Sequence, residues 1–219
     1  MRGSLASTSR IGDVTETITV FSDYVCPFCY LGRRSLAEYQ ESREDPLEID
    51  WHPFDLRSNQ RDDEGEVVRE SGHDDDYYEQ ARENVERLRE EYDADEMASS
   101  FASDDVDSLD AQIASYYVKE HDDYETWLDF DRALFTALWE EERDIGDVDV
   151  LAEIADEVGV DPDEVRDAVT DEDLRETVHA KFQEAHQQGV TGVPTFAYEG
   201  YAARGAVPPE QLRRLVEGE

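Results

Sequence analysis

Two cysteines stand in this chain of 219 residues, and only two residues separate them: Cys26-Pro27-Phe28-Cys29. The run Thr17-Ile18-Thr19-Val20-Phe21 before them has the apolar, β-branched character of a buried strand. After them, Tyr30 to Tyr39 places Leu31, Ser35/Leu36 and Tyr39 at helical spacing. A Cys-x-x-Cys on a strand-to-helix turn is a redox motif with a mechanism. A helix N-terminus carries partial positive charge and unpaired N–H groups, and both favour a thiolate on Cys26. Such settings lower a cysteine pKa from ~8.5 into the range of ~3.5–7.5. Cys29 lies one turn further in, within reach of a mixed disulfide formed at Cys26.

The rival readings of the pair are half a zinc site, a structural disulfide, or two inert core thiols. A structural zinc site wants four ligands. The chain has no further cysteine, and His52, His73, His121, His179 and His186 show no paired ligand spacing. Redox chemistry is the favoured reading, with Cys26 and Cys29 as its catalytic residues. The chain offers no metal, nucleotide or flavin motif, so no cofactor is expected.

Acidic residues number 58 against 20 basic ones, a formal charge of −38. Nucleic acids and anionic membranes both need a cationic face, so neither is expected as a partner. High charge with low hydrophobicity can signal disorder. Here aromatics reach 10% and apolar residues recur at helix and strand periods, with the acids between them. That is a folded chain with an acidic solvated surface, and the composition resembles that of cytosolic proteins from extreme halophiles. At ~1 M salt the Debye length is ~3 Å, which largely screens such self-repulsion. No stretch approaches the ~18–20 apolar residues of a membrane span. Met1 to Asp13 is small, polar and aperiodic, without the apolar core of a secretory signal. It reads as a flexible tail, and the expected location is the cytoplasm.

A first βαβ unit runs from about Glu16 to Phe54, its second strand alternating apolar and polar from Leu47. Residues 55–72 read as a charged surface loop. Helices follow: one over Tyr77–Tyr92, one capped by Asp107 or Ser108 and ending near His121, and a nearly all-apolar one over Tyr124–Arg143. Asp147 caps a helix that ends at Gly159. Asp161-Pro162 caps the next, and Thr170 precedes a last one that ends at Gly189. Thr195–Tyr198 and Tyr201–Arg204 then form a hairpin about Glu199-Gly200, and Glu210–Val216 closes as a helix. The fold class is α/β. Residues 14–56 and 189–219 make one discontinuous domain, interrupted by an all-helical insertion over 57–188.

At this point the chain resembles the thioredoxin superfamily, in its DsbA-like branch. The matching segments are Phe21-Ser22-Asp23-Tyr24-Val25-Cys26-Pro27-Phe28-Cys29-Tyr30-Leu31-Gly32, Gly189-Val190-Thr191-Gly192-Val193-Pro194-Thr195-Phe196, and the helical block between. Trp51-His52-Pro53-Phe54-Asp55-Leu56 and Arg143-Asp144-Ile145-Gly146-Asp147 are similar to the FrnE subgroup, which stands beside the 2-hydroxychromene-2-carboxylate isomerases. The resemblance implies a thioredoxin fold (βαβ…ββα) and a cis Val193–Pro194 bond facing the cysteines. It also implies substrate binding by Pro27, Phe28, Val193 and Pro194.

The favoured function is thiol–disulfide exchange with protein or peptide partners, with a separate thiol partner for recycling. Two alternatives stand beside it. One is a small-molecule isomerase or glutathione transferase, although a serine typically takes the place of Cys26 in that branch. The other is a redox-switched binding or chaperone module. Asp23 reads either as a proton acceptor for the pair or as a solvated acid, and the acid-rich composition favours the latter. Tyr30 and Trp51 read as core, His52 as a satisfied packing histidine, His179 and His186 as surface, and Trp127 to Trp139 as the core of the insertion.

Overall fold

The computed structural model describes residues 15–62, 67–68, 75–98 and 105–218, with the backbone alone over 75–78. The tail expected at residues 1–13, His73, and the apolar contribution expected of Tyr77 and Tyr78 lie outside the described residues.

Strand β1 (Glu16–Ser22) buries Ile18, Val20, Phe21 and Ser22. It sits inside a four-stranded sheet of order β2-β1-β3-β4. Helix α1 (Pro27–Glu41) leads to β2 (Leu47–Pro53), which pairs parallel to β1 with Glu16 opposite Leu47 and Ser22 opposite Pro53. Late in the chain β3 (Thr195–Tyr198) pairs antiparallel to β1, with Val20 opposite Phe196, and β4 (Tyr201–Arg204) pairs antiparallel to β3. Helix α8 (Pro209–Glu217) packs on α1. The βαβ and ββα pieces at the two ends of the chain thus meet in one sheet, which is the thioredoxin fold.

Among the described residues, six helices lie between β2 and β3: α2 (Asp75–Glu91), α3 (Leu109–His121), α4 (Tyr124–Trp139), α5 (Val148–Val158), α6 (Pro162–Thr170) and α7 (Glu172–Gln187). Several caps form as their sequences dictate. Asp147 and Asp161 accept the N–H of Asp149 and Asp163, and Gly159 closes α5 at φ 85°. The hairpin turn puts Glu199 and Gly200 both at positive φ, as a two-residue turn of this hand requires.

Three expectations need correction. Helix α4 stops at Trp139 rather than Arg143, because the Trp139 carbonyl accepts the Ala98 N–H and Glu142 takes a left-handed conformation. Asp171, not Thr170, caps α7, accepting the N–H of Asp173 and Leu174, while the Thr170 hydroxyl bonds back to Arg166 and Asp167 carbonyls. The stretch expected as a charged surface loop contains a 3-10 turn at Ser58–Gln60 and a buried ion pair, Asp55 with Arg61.

Adjacent β1 residues point to opposite faces. Ile18 and Val20 join the main core with Trp51, Trp127, Phe130, Leu134 and Trp139, while Phe21 joins Phe54, Ala185 and Val190 under the end of α7. The three tryptophans are buried with their indole N–H satisfied: Trp51 by Ser22 Oγ at 2.9 Å, Trp127 by Ser115 Oγ at 3.2 Å, and Trp139 by the Tyr24 carbonyl at 2.8 Å. The outer edge of β2 is closed by side chains from the helical block. The Ile49 N–H donates to the Tyr124 hydroxyl at 2.9 Å, and Lys119 Nζ donates to the Trp51 carbonyl at 2.6 Å.

Candidate active site

The segment between β1 and α1 folds so that Cys26 becomes the N-cap of α1, extended at φ −92° and ψ 114°. Its N–H donates to the Asp23 carbonyl at 3.2 Å, and its own carbonyl accepts the N–H of Cys29 at 2.9 Å and of Tyr30 at 3.3 Å. Pro27 stands at the first helical position, where its missing N–H removes nothing the helix would use. Both cysteines are thiols. Cys26 keeps a sliver of access at 3% exposure, whereas Cys29, one turn in, has none.

The second half of the site comes from the loop between α7 and β3. Gly189 leaves α7 at φ 83°, and the Thr195 hydroxyl donates to the Gly192 carbonyl at 2.8 Å. The Gly205 N–H donates to the Pro194 carbonyl at 2.8 Å. The Val193–Pro194 bond is cis, as the resemblance implies. The Val193 carbonyl lies 3.6 Å from Cys26 Sγ and accepts from it. Half-buried Phe28 and Val193 rest on the core that holds the cysteines, and Pro27 is also partly exposed. So the structure gathers Cys26, Cys29, Pro27, Phe28, Val193 and Pro194 about one point, from two segments separated by the whole helical block. Gly32 makes this approach possible: a Cβ there would stand 3.0 Å from Pro194 Cγ and 3.2 Å from Phe196 Cζ.

Asp23 is not the solvated acid that the composition favoured. It is fully buried. One carboxylate oxygen accepts from Ser108 Oγ at 2.5 Å and from the Val25 N–H at 3.2 Å, and the other accepts the Leu56 N–H at 2.8 Å. Burial pushes its carboxyl up to about 6, the nearby Asp55 charge adds to the push, and the hydrogen bonds from Ser108, Leu56 and Val25 oppose it. Burial, with the hydrogen bond and charge of Cys26, drives the Cys29 thiol well above its ordinary value; the Asp23 charge acts in the same direction.

Ser108, one of the two residues expected to cap α3, stands at its N-cap position but makes no side-chain cap bond, turning its hydroxyl to Asp23 while Asp107 accepts the Leu109 N–H at 3.0 Å; Gln112 carries no signal in the sequence. Gln112 Oε1 accepts the Phe54 N–H at 3.1 Å, and its amide donates to Ser108 Oγ at 3.3 Å. Asp55 in turn binds Arg61, which forks onto Asp107 with contacts of 2.7 and 2.8 Å. The wall behind Asp23 is therefore built by residues 31 to 89 positions further along the chain, and nothing in local spacing announces them.

His52 packs on Phe21 with ring centroids 4.7 Å apart, and Nδ1 donates to the Pro53 carbonyl at 3.0 Å. Its buried Nε2 has no hydrogen-bond partner, so it is a packing histidine but only half satisfied. Burial lowers its pKa, against the opposing pull of the Pro53 carbonyl and the Glu184 charge. Tyr30 and Trp51 are core as expected, His186 is exposed, and His179 is half-buried. Among the described residues, no three His, Cys, Asp or Glu side chains converge to hold a metal ion.

The sequence pattern of the DSBA-like thioredoxin domain matches residues 17–217. The chain belongs to that family. It is 25% identical over 207 residues to the uncharacterized protein YwbO of Bacillus subtilis (strain 168), covering 94% of this chain and 98% of YwbO. The fold is similar to that of a probable DsbA oxidoreductase, SCO1869 from Streptomyces coelicolor. There the TM-score is 0.71 at 23% identity, over 93% of this chain and 90% of that one. It is also similar to that of a 2-hydroxychromene-2-carboxylate isomerase, with a TM-score of 0.68 at 18% identity, over 91% of this chain and 92% of the isomerase. At these identities the likeness shows the fold alone. Among the described residues, no helix is long and apolar enough to cross a membrane.

Proposed function

We propose that this DSBA-like protein is a thiol–disulfide oxidoreductase that exchanges disulfides with protein or peptide partners through Cys26 and Cys29. One observation carries the reading. A barely accessible cysteine at a helix N-terminus stands 3.6 Å from the carbonyl before a cis proline, with a second, fully buried thiol one turn behind it. In the reductive direction the Cys26 thiolate attacks one sulfur of a partner disulfide. A Cys26–partner S–S bond forms, the partner's S–S bond breaks, and its other sulfur leaves as a thiolate that takes a proton. Cys29 then loses its proton and attacks Cys26 Sγ. The intramolecular disulfide forms and the partner leaves with both sulfurs reduced, two electrons having passed to it. The oxidative direction is the reverse.

Asp23 is the proposed proton acceptor for Cys29. A carboxylate poised near 6 is mostly ionised at pH 7 yet basic enough to take a proton from a thiol in passing. Pro27, Phe28, Val193 and Pro194 form the proposed partner-binding rim, where the edges of Phe28 and Val193 offer apolar contact and the backbone offers hydrogen bonds to an extended chain. A separate thiol partner resets the pair, and a cytoplasmic setting fits the reductive direction.

The direct test is reduction of insulin disulfides, followed by turbidity, with dithiothreitol as the electron donor. Cys26→Ser is expected to lose the catalysed rate entirely. Full activity in that variant would overturn the assignment. Glutathione-dependent turnover of a small aromatic substrate, surviving in Cys29→Ser, would move the protein to the isomerase reading.

A further inference from the structure

A cleft of about 250 Å³ opens between α1 and α4, and the chemistry above makes no use of it. Its lining combines two kinds of surface. Arg33 and Arg34 of α1 and Arg132 of α4 supply charge, while Ala37, Leu128 and Phe135 supply apolar contact. Three arginines on one cleft stand out in a chain whose formal charge is −38.

The two carboxylates in the same lining, Asp131 and Glu140, are already engaged. Asp131 is fully buried, pairs with Arg33 Nη2, and accepts from the Tyr24 hydroxyl at 3.1 Å. Glu140 accepts from the Tyr30 hydroxyl at 3.0 Å. The lining holds three guanidinium groups and two carboxylates, and Glu96 and Asp129 stand at its border beside Arg34 and Arg132. The Arg33 side chain is only 10% exposed, and its Nη1 has no hydrogen-bond partner. A buried guanidinium N–H without an acceptor is a penalty that an anionic group relieves. Arg34 gives Nη2 to the Asp93 carbonyl at 2.9 Å and Nη1 to Glu96 at 3.4 Å and the Tyr30 hydroxyl at 3.5 Å, and Arg132 lies 3.7 Å from Asp129. A guanidinium has five N–H donors, so both have donors to spare.

We propose that this cleft binds a small organic carboxylate, its carboxylate held by the arginines and its apolar body against Ala37, Leu128 and Phe135. Guanidinium groups match the planar, two-oxygen geometry of a carboxylate. The volume lies just under the ~300–1,000 Å³ of sites for drug-sized ligands, which limits the body to about one ring or a short branched chain.

The test is calorimetric titration of the full chain with benzoate in 1 M KCl, where a Debye length of ~3 Å leaves only short-range contacts. Benzamide, the neutral isostere, and inorganic phosphate are the controls. Benzoate is expected to saturate one site per chain, with both controls at least about tenfold weaker. Ala37→Trp fills the cleft, and Arg132→Gln removes a guanidinium that is 58% exposed. Each is expected to weaken benzoate about tenfold or more, while far-ultraviolet circular dichroism and the insulin reduction rate stay unchanged. Should Ala37→Trp misfold, Arg132→Gln decides. Failure of benzoate to saturate, equal binding of benzamide or phosphate, or unchanged affinity in Arg132→Gln would each overturn the proposal. Because the cysteine pair is untouched, none of these results bears on the redox function.

Discussion

Three residues before Cys26 sits a carboxylate with no access to water, and its proton links the site to stability. Asp23 is raised from 3.8 to about 6 by burial. The folded chain therefore holds this proton more tightly than the unfolded chain does. The stability it contributes is present below about pH 4 and is lost as pH rises through about 6. At 1.36 kcal/mol per pKa unit, the loss is on the order of 3 kcal/mol. Measured by urea unfolding in molar KCl, the stability of the wild type relative to Asp23→Asn is expected to fall by roughly that amount between pH 4 and 7. A difference that stays flat across this range would contradict the burial account. The aspartate itself was visible in the sequence as a candidate proton acceptor. Its environment was not, because Ser108, Gln112, Asp55 and Arg61 converge on it from distant segments, and the chain's many surface acids make an exposed aspartate the ordinary expectation. Cys26, Cys29, Val193 and Pro194 were more legible, since two short motifs mark them, one at each end of the fold.

At the scale of elements, the site depends on how closely α1 crosses β3. Gly32 sits where the two meet, and an added Cβ would crowd Pro194 and Phe196, both buried. Gly→Ala in an open helix gains ~1 kcal/mol. Overpacking a filled core costs ~1–3 kcal/mol. Gly32→Ala is therefore expected to lose stability on thermal unfolding and to slow insulin reduction, because the helix must move off the proline that faces Cys26. A more stable Gly32→Ala would show that the approach is looser than described. The helix boundaries divide by cause. Those set by local chemistry, such as the Asp147 and Asp161 caps, the Gly159 stop and the Glu199-Gly200 turn, fall where the residues indicate. Those set by distant contacts do not: α4 ends where Ala98 claims the Trp139 carbonyl, and the sealing of β2 by Tyr124 and Lys119 has no local signature.

The whole molecule carries too many acids for its bases, and the ion pairs show it. Arg143 alone serves Glu141, Glu153 and Glu157, and Arg43 serves both Glu16 and Glu217. Such exposed pairs are worth ~0–1 kcal/mol each and do not offset the repulsion of an excess of 38 negative charges. At 0.1 M salt the Debye length is ~10 Å, long enough for neighbouring carboxylates to repel, and at 1 M it is ~3 Å. Far-ultraviolet circular dichroism is therefore expected to weaken when the protein moves from molar KCl into dilute buffer. An identical spectrum in both would mean that packing alone carries the fold.

The central claim is that Cys26 forms a covalent bond with protein partners and Cys29 breaks it. It is tested most directly by Cys29→Ser in molar KCl, incubated with lysate from the source cells and read by non-reducing separation and mass spectrometry. The account predicts several proteins held through Cys26, released by reductant, and absent from the Cys26→Ser, Cys29→Ser double variant. A small thiol adduct on Cys26 with no protein captured would contradict it.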